Sequence, residues 1–190
     1  MKIPSLKDMT ELGRQILKQP PKNELYRPKV SEIVTQQFID HVCSIYQLDH
    51  FGHHGIEHWL RVLHNGRLIA AKVGANIKVV ELFSLLHDTQ RQDEWEDPEH
   101  GKRAAQYAKS IRGIWFEVTN EEMWQLQQAL SLHSDGLVVK DPTIGACWDA
   151  DRLDLARVGL RPDPQYLCHD FSKQKQVLNE AIARSTSATR

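Results

Sequence analysis

The chain has 190 residues, 41% hydrophobic and 26% charged, the make-up of a single globular domain with short extensions. A formal net charge of −1 excludes the global basic field of a nonspecific nucleic-acid binder, and no apolar run approaches the roughly 20 residues of a membrane helix. Three widely spaced cysteines (Cys43, Cys147, Cys168) argue against a disulfide framework or a cysteine zinc site and read as small buried apolar residues, and the absence of a signal-peptide core after Met1 makes a cytoplasmic location the expectation.

In chain order, Leu6–Lys18 reads as a short helix followed by an arm broken at Pro20, Pro21 and Pro28. Between Val30 and Leu48 the apolar positions fall at helical spacing, and residues 47–55 form a His- and Gly-containing loop. Ile56–Val73 returns to helical period, with Gly74 as its stop. Ile77–His87 is almost continuously apolar; its length and the interruptions Glu81 and Ser84 favour a buried helix over a strand. A polar loop, 89–98, leads to a helix from Pro98 to about Ile111 with Asp97 as its cap. Thr119-Asn-Glu-Glu opens a helix to about Ser134, and Asp141-Pro142-Thr143 opens another through Leu155 or Arg157. Pro162 and Pro164 break the chain, Asp170–Arg184 is amphipathic, and Ser185–Arg190 reads as a frayed tail. The expected architecture is all-α, a single helical bundle: an N-terminal extension over 1–28, a metal-binding helical domain over 29–162, and a C-terminal helix and tail over 163–190. Trp59, Trp124 and Trp148 sit in helical patterns and read as core; Trp95, in the polar loop, is the tryptophan placed for substrate contact.

Ten histidines, most of them between His41 and His133, are the unusual feature of the composition. The apolar helix ending at Leu86 delivers His87 and Asp88 side by side, a neutral nitrogen donor and an anion able to reach one divalent ion. Asp149-Ala-Asp-Arg-Leu-Asp154 interrupts another apolar stretch, where buried carboxylates need a metal ion or an arginine as partner; Asp154 reads as a surface residue paired with Arg157 or Arg152. His58 stands at the start of a helix with a core-like continuation, whereas His64 reads as a surface or packing residue.

His58, then His87-Asp88, then Asp151, within His54-Gly55-x-x-His58-x-x-Arg61-Val62, Leu85-Leu86-His87-Asp88 and Asp149-Ala-Asp-Arg-Leu-Asp154, resembles the HD-domain superfamily of metal-dependent phosphohydrolases over about residues 35–160. The resemblance implies an all-α fold and a metal site of His58, His87, Asp88 and Asp151, with Asp88 or Asp151 orienting the attacking water. It favours Asp151 over Asp149 as ligand, because Arg152-Leu153-Asp154 follows in the family's usual phrasing. His100 and His133 fall where some members hold a second metal or contact phosphate. Arg91, Lys102 and Arg103 are candidate phosphate binders. The donor set suits manganese, iron, nickel, cobalt, zinc or magnesium, as one ion or two. The implied substrate is a small phosphorylated compound, with a nucleotide favoured over a long nucleic acid. Two other readings stand beside this one. His54-Gly55-Ile56-Glu57-His58 is a literal inverted zinc-protease motif, with Gly55 inside the pair against it, and a helical module could bind metal and nucleotide without turnover.

Overall fold

The computed structural model describes residues 31–187, and within them the chain is an all-α bundle of seven helices. The expected Leu6–Lys18 helix and the 1–28 arm lie outside the described residues. In chain order the helices are α1 (Gln36–Ile45), α2 (Ile56–Val73), α3 (Ile77–Leu86), α4 (His100–Ile111), α5 (Asn120–Leu132), α6 (Pro142–Arg152) and α7 (Lys175–Ser187), with short 3-10 turns at Leu155–Val158 and Pro164–Tyr166. None of the described helices is long and apolar enough to cross a membrane.

Local chemistry sets most of the ends. Thr35 caps α1 at the Phe38 amide, and Asn76 caps α3 at the Lys78 amide. Thr119 and Glu122 form a reciprocal capping box on α5, and Asp141 caps α6 with Pro142 in its first turn. Gly74, at φ 72°, closes α2 in the left-handed conformation that glycine adopts without penalty.

Helix α3 is the central element, touching α1, α2, α5 and α6, while α4 packs on α5 and α2 on α6. Every residue from Val79 to Leu86 is buried. Its two polar interruptions are satisfied internally: Glu81 accepts from Arg67 Nε at 2.7 Å and Ser31 Oγ at 2.6 Å, and Ser84 Oγ donates to the Val80 carbonyl.

Several ends differ from expectation. Helix α1 is shorter than 30–48, because Ser31 Oγ accepts from the Ile33 and Val34 amides in a separate turn before Thr35. Helix α4 starts at His100 without Asp97 as its cap; that carboxylate is taken by the Gln92 amide and Arg103. Helix α6 stops at Arg152, and the chain tightens into the 155–158 turn closed by Gly159 at φ 80°. Helix α7 runs to Ser187, and Ser185 is buried in it, not frayed. Trp59 and Trp148 are core, but Trp124 is 50% exposed on α5. Cys43 and Cys147 are buried free thiols, their pKa values pushed up by burial, whereas Cys168 is only partly buried.

Candidate metal centre

Five helix ends meet at one end of the bundle. His58 comes from the first turn of α2, His87 and Asp88 from the C-terminus of α3, His100 from the first residue of α4, His133 from the C-terminus of α5, and Asp151 from the last turn of α6. All but Asp151 are buried, and Asp151 is half-buried.

Their donor atoms form two groups that share one carboxylate. His58, His87 and Asp88 offer ligand atoms within 4.8 Å of one another, and so do Asp88, His100 and His133. Asp88 Oδ2 faces the first group, 3.5 Å from His58 Nε2 and 3.4 Å from His87 Nε2. Its Oδ1 faces the second, 3.4 Å from His100 Nε2 and 3.9 Å from His133 Nε2. Asp151 Oδ1 adds to the first group at 3.3 Å from His58 Nε2 and 3.9 Å from His87 Nε2.

The imidazoles are oriented alike. His58 Nδ1 faces Asp154 Oδ2 at 2.7 Å, His133 Nδ1 the Leu130 carbonyl at 2.8 Å, and His87 Nδ1 the Phe83 and Ser84 carbonyls at 3.3 Å; His100 Nδ1 lies against the Asp97 carbonyl. An acceptor at Nδ1 holds the proton there, so in each neutral ring the Nε2 lone pair points inward. Those lone pairs face each other in pairs, His58 to His87 and His100 to His133, each at 2.9 Å. Two lone pairs at that distance repel unless a proton or a metal ion lies between or beside them. Metal-binding histidines are held in this way, with Nδ1 anchored on oxygen and Nε2 turned towards the ion. The buried groups can therefore hold metal ions, and the donor set, nitrogen plus carboxylate oxygen with no sulfur, fits a first-row divalent ion.

The electrostatics divide the four rings: burial lowers the pKa of His133, but Asp88 and Asp151 raise it above the ordinary value. Burial keeps His87 from charging and lowers its pKa, and burial together with the facing His133 and Arg91 brings His100 down to about 4. Both rings are thus neutral donors. Burial alone would protonate Asp88 and Asp151, but the facing imidazoles hold both carboxyls well below the ordinary range. Burial opposes a charge on His58 too, yet hydrogen bonds to Asp151, Asp154 and Asp88 raise it to about 9.

Arg91 is brought into the centre, its Nη1 3.6 Å from Asp88 Oδ1 and close to both ring nitrogens of His100. Lys102 is not: it is exposed and pairs with Glu99. Arg103 clamps the 89–99 loop through the Gln90 carbonyl and Asp97 and does not line the cavity. Asp149 points elsewhere, accepting from the Cys168 and His169 amides and facing His169 Nδ1, so of the two carboxylates only that of Asp151 meets the histidines.

Asp154 is not a surface residue. It is fully buried, and besides His58 it accepts from Arg61 Nε at 2.7 Å and Ser185 Oγ at 2.6 Å, with Arg157 Nε at 3.9 Å. The inverted protease motif does not assemble: Gly55 is the cap of α2, His54 precedes the helix and binds Glu94, and Glu57 is exposed near Arg61.

A cavity of about 480 Å³ opens on the centre, lined by Asp88, His100, His133 and Asp151 and by residues that the sequence reading missed, notably Arg157, Arg161 and Tyr166. Nothing in their spacing marks them; only their position after the Asp149–Asp154 cluster could have drawn notice. Trp95 is 75% exposed and borders a second, adjoining cavity with Phe51 and His53. Compared with protein-family models, with curated proteins and with solved structures, the chain matches none.

Proposed function

We propose that this chain is a metal-dependent phosphohydrolase of the HD-domain type that cleaves a phosphate ester in a small compound, a nucleotide or a close relative. The observation that carries the reading is the shared carboxylate: Asp88 offers one oxygen to each of two histidine pairs whose Nε2 atoms converge. Such a bridge suits two ions side by side, the arrangement used to clamp a phosphoryl group. His58, His87, Asp88 and Asp151 would hold the first ion, and Asp88, His100 and His133 the second. A divalent ion held there supplies Lewis acidity, lowering the pKa of water and polarising a phosphoryl oxygen. Asp151, which lines the cavity, orients the attacking water through its carboxylate, and Asp88 keeps both histidine pairs in register. Arg91, already held against Asp88 and His100, neutralises charge that builds on the phosphoryl oxygens.

The test is metal analysis of the purified protein, with hydrolysis of a phosphodiester, a phosphomonoester and a set of nucleotides in Mn²⁺ assayed on the same sample. Metal at one to two ions per chain and turnover of one of these esters are expected. Both should be lost in His87→Ala and Asp88→Ala; unaltered metal content and activity in those variants would sink the proposal. Tight nucleotide binding without turnover would instead support a non-catalytic binding module.

A further inference from the structure

We infer that Arg157 and Arg161 form a second phosphate subsite beside the metal centre, so that the substrate carries two adjacent phosphates, as a nucleoside di- or triphosphate does. The inference rests on the phosphohydrolase reading for the first phosphate and on separate residues for the second. Arginines and aspartates together line the cavity, and two of the arginines already have close partners, Arg91 at the metal centre and Arg152 away from it. Arg152 donates to the carbonyls of Leu137, Tyr166 and His133, and Arg91 is held at Asp88, His100 and the Asp93 carbonyl.

Arg157 and Arg161 differ from these. The Arg157 side chain is only 8% exposed, yet both its hydrogen bonds go to neutral carbonyls, Nε to His53 and Nη1 to Asp154. Its nearest carboxylate oxygen, 3.9 Å away on Asp154, is already bonded to His58 at 2.7 Å. With its one ion pair that long and its close hydrogen bonds on neutral carbonyls, this guanidinium keeps charge to offer an anion entering the cavity. Arg161, exposed on the same cavity, makes no hydrogen bond or ion pair with any described residue. Four arginines face three aspartates in this lining, and each metal ion held there would add two further positive charges for an anion to meet.

The spacing suits neighbouring phosphates. Arg157 and Arg161 line the same cavity as Asp88, His100, His133 and Asp151, so a phosphate held at the metal centre and a second one held at the arginines would share one space. The two arginines sit on a firm support: Gly159 at φ 80° closes the 155–158 turn, Pro162 is buried, and Arg152 ties the Tyr166 carbonyl back to α6. The planar fork of a guanidinium matches the oxygens of a phosphate. Leu160 and Tyr166, exposed beside them, leave apolar surface for the rest of a nucleotide.

Calorimetric titration of the metal-loaded protein with methylenediphosphonate and with inorganic phosphate tests this, with metal content checked before and after. The diphosphonate should bind at least tenfold more tightly. Because a diphosphonate also grips metal better on its own, the deciding comparison is between proteins of equal metal content: Arg161→Ala, an exposed position that leaves folding intact, and Arg157→Lys should each reduce the preference severalfold. A preference unchanged in both variants overturns the subsite, even if metal binding and ester hydrolysis hold. Conversely, arginine-dependent diphosphonate binding in a protein that hydrolyses no ester would leave the subsite standing and remove the phosphohydrolase reading.

Discussion

Asp154 gives one carboxylate oxygen to His58 Nδ1 and the other to Arg61 Nε and Ser185 Oγ, all at 2.6–2.7 Å. It touches none of the space between the histidines, yet it fixes which His58 nitrogen faces inward and raises that nitrogen's basicity. Carboxylates in this position carry about 10- to 100-fold of metal affinity. Asp154→Asn keeps a hydrogen-bond acceptor for Nδ1 but removes the charge, so metal affinity should fall within that range. Ser185→Ala, which removes only one donor to Asp154, should have a smaller effect. Metal titration well below the melting temperature reads this without interference from the stability lost when Arg61 loses its partner; equal affinity in Asp154→Asn and the parent would show that His58 is held without Asp154. The sequence made His58, His87, Asp88 and Asp151 legible, because their order and neighbours are distinctive. Asp154 reads as a surface residue because helical spacing, continued past Arg152, points it outward; α6 ends there and the chain turns the carboxylate inward. The resemblance favours Asp151 over Asp149, and the geometry gives the reason: residues two apart on a helix face different ways, and only Asp151 meets the histidines of the centre.

Helices α4 and α5 approach so closely that their meeting point admits no side chain. A Cβ on Gly101 would press into the Leu130 carbonyl oxygen, with the Ser131 oxygen at 3.2 Å and His133 Cε1 at 3.3 Å behind it. That Leu130 carbonyl is also the acceptor that orients His133 Nδ1. Gly101→Ala should therefore act twice, wedging the helices apart and releasing His133. Alanine improves intrinsic helix propensity by about 0.5–1 kcal/mol, whereas overpacking costs about 1–3 kcal/mol, so a net loss of stability is expected. The His100–His133 group should lose its ion while the His58–His87 group keeps its own. Metal stoichiometry and a thermal melt on the same preparation check both; a full complement of metal with an unchanged melt would mean that this close approach does not set the distance. Helix α2 was legible to the residue, because its periodicity and Gly74 agree. The start of α4 was not, since Asp97 is drawn away by Gln92 and Arg103 from outside the helix, a competition that local sequence does not display. Trp124 was read as core on periodicity alone, which identifies a face without saying what covers it.

For the molecule as a whole, gathering these imidazoles and carboxylates in a buried space couples folding to protons and, with an ion bound, would couple it to metal as well. Without metal, His58 can take a proton, donating to Asp154 from Nδ1 and towards Asp151 from Nε2, and its pKa rises from an ordinary 6.5 to about 9. A folded-state pKa above the unfolded value contributes stability that is fully present below pH 6.5 and is lost as pH rises through 9. A metal ion would reverse the slope, because it would bind Nε2 only after that proton leaves. Its affinity for the His58 group should climb by about tenfold per pH unit until the pH passes His58's pKa. Bound ligand stabilises by about 2.7 kcal/mol at one hundred times its dissociation constant, so a growing affinity appears directly in the melt. The chelated protein should therefore melt at progressively lower temperature from pH 6.5 to pH 9, while the increment gained on adding Mn²⁺ widens over the same interval. Calorimetric melts in EDTA and in Mn²⁺ across that window measure both slopes. An increment that stays flat with pH would mean that the ion does not displace the His58 proton, and the first histidine pair would have to be removed from the metal site.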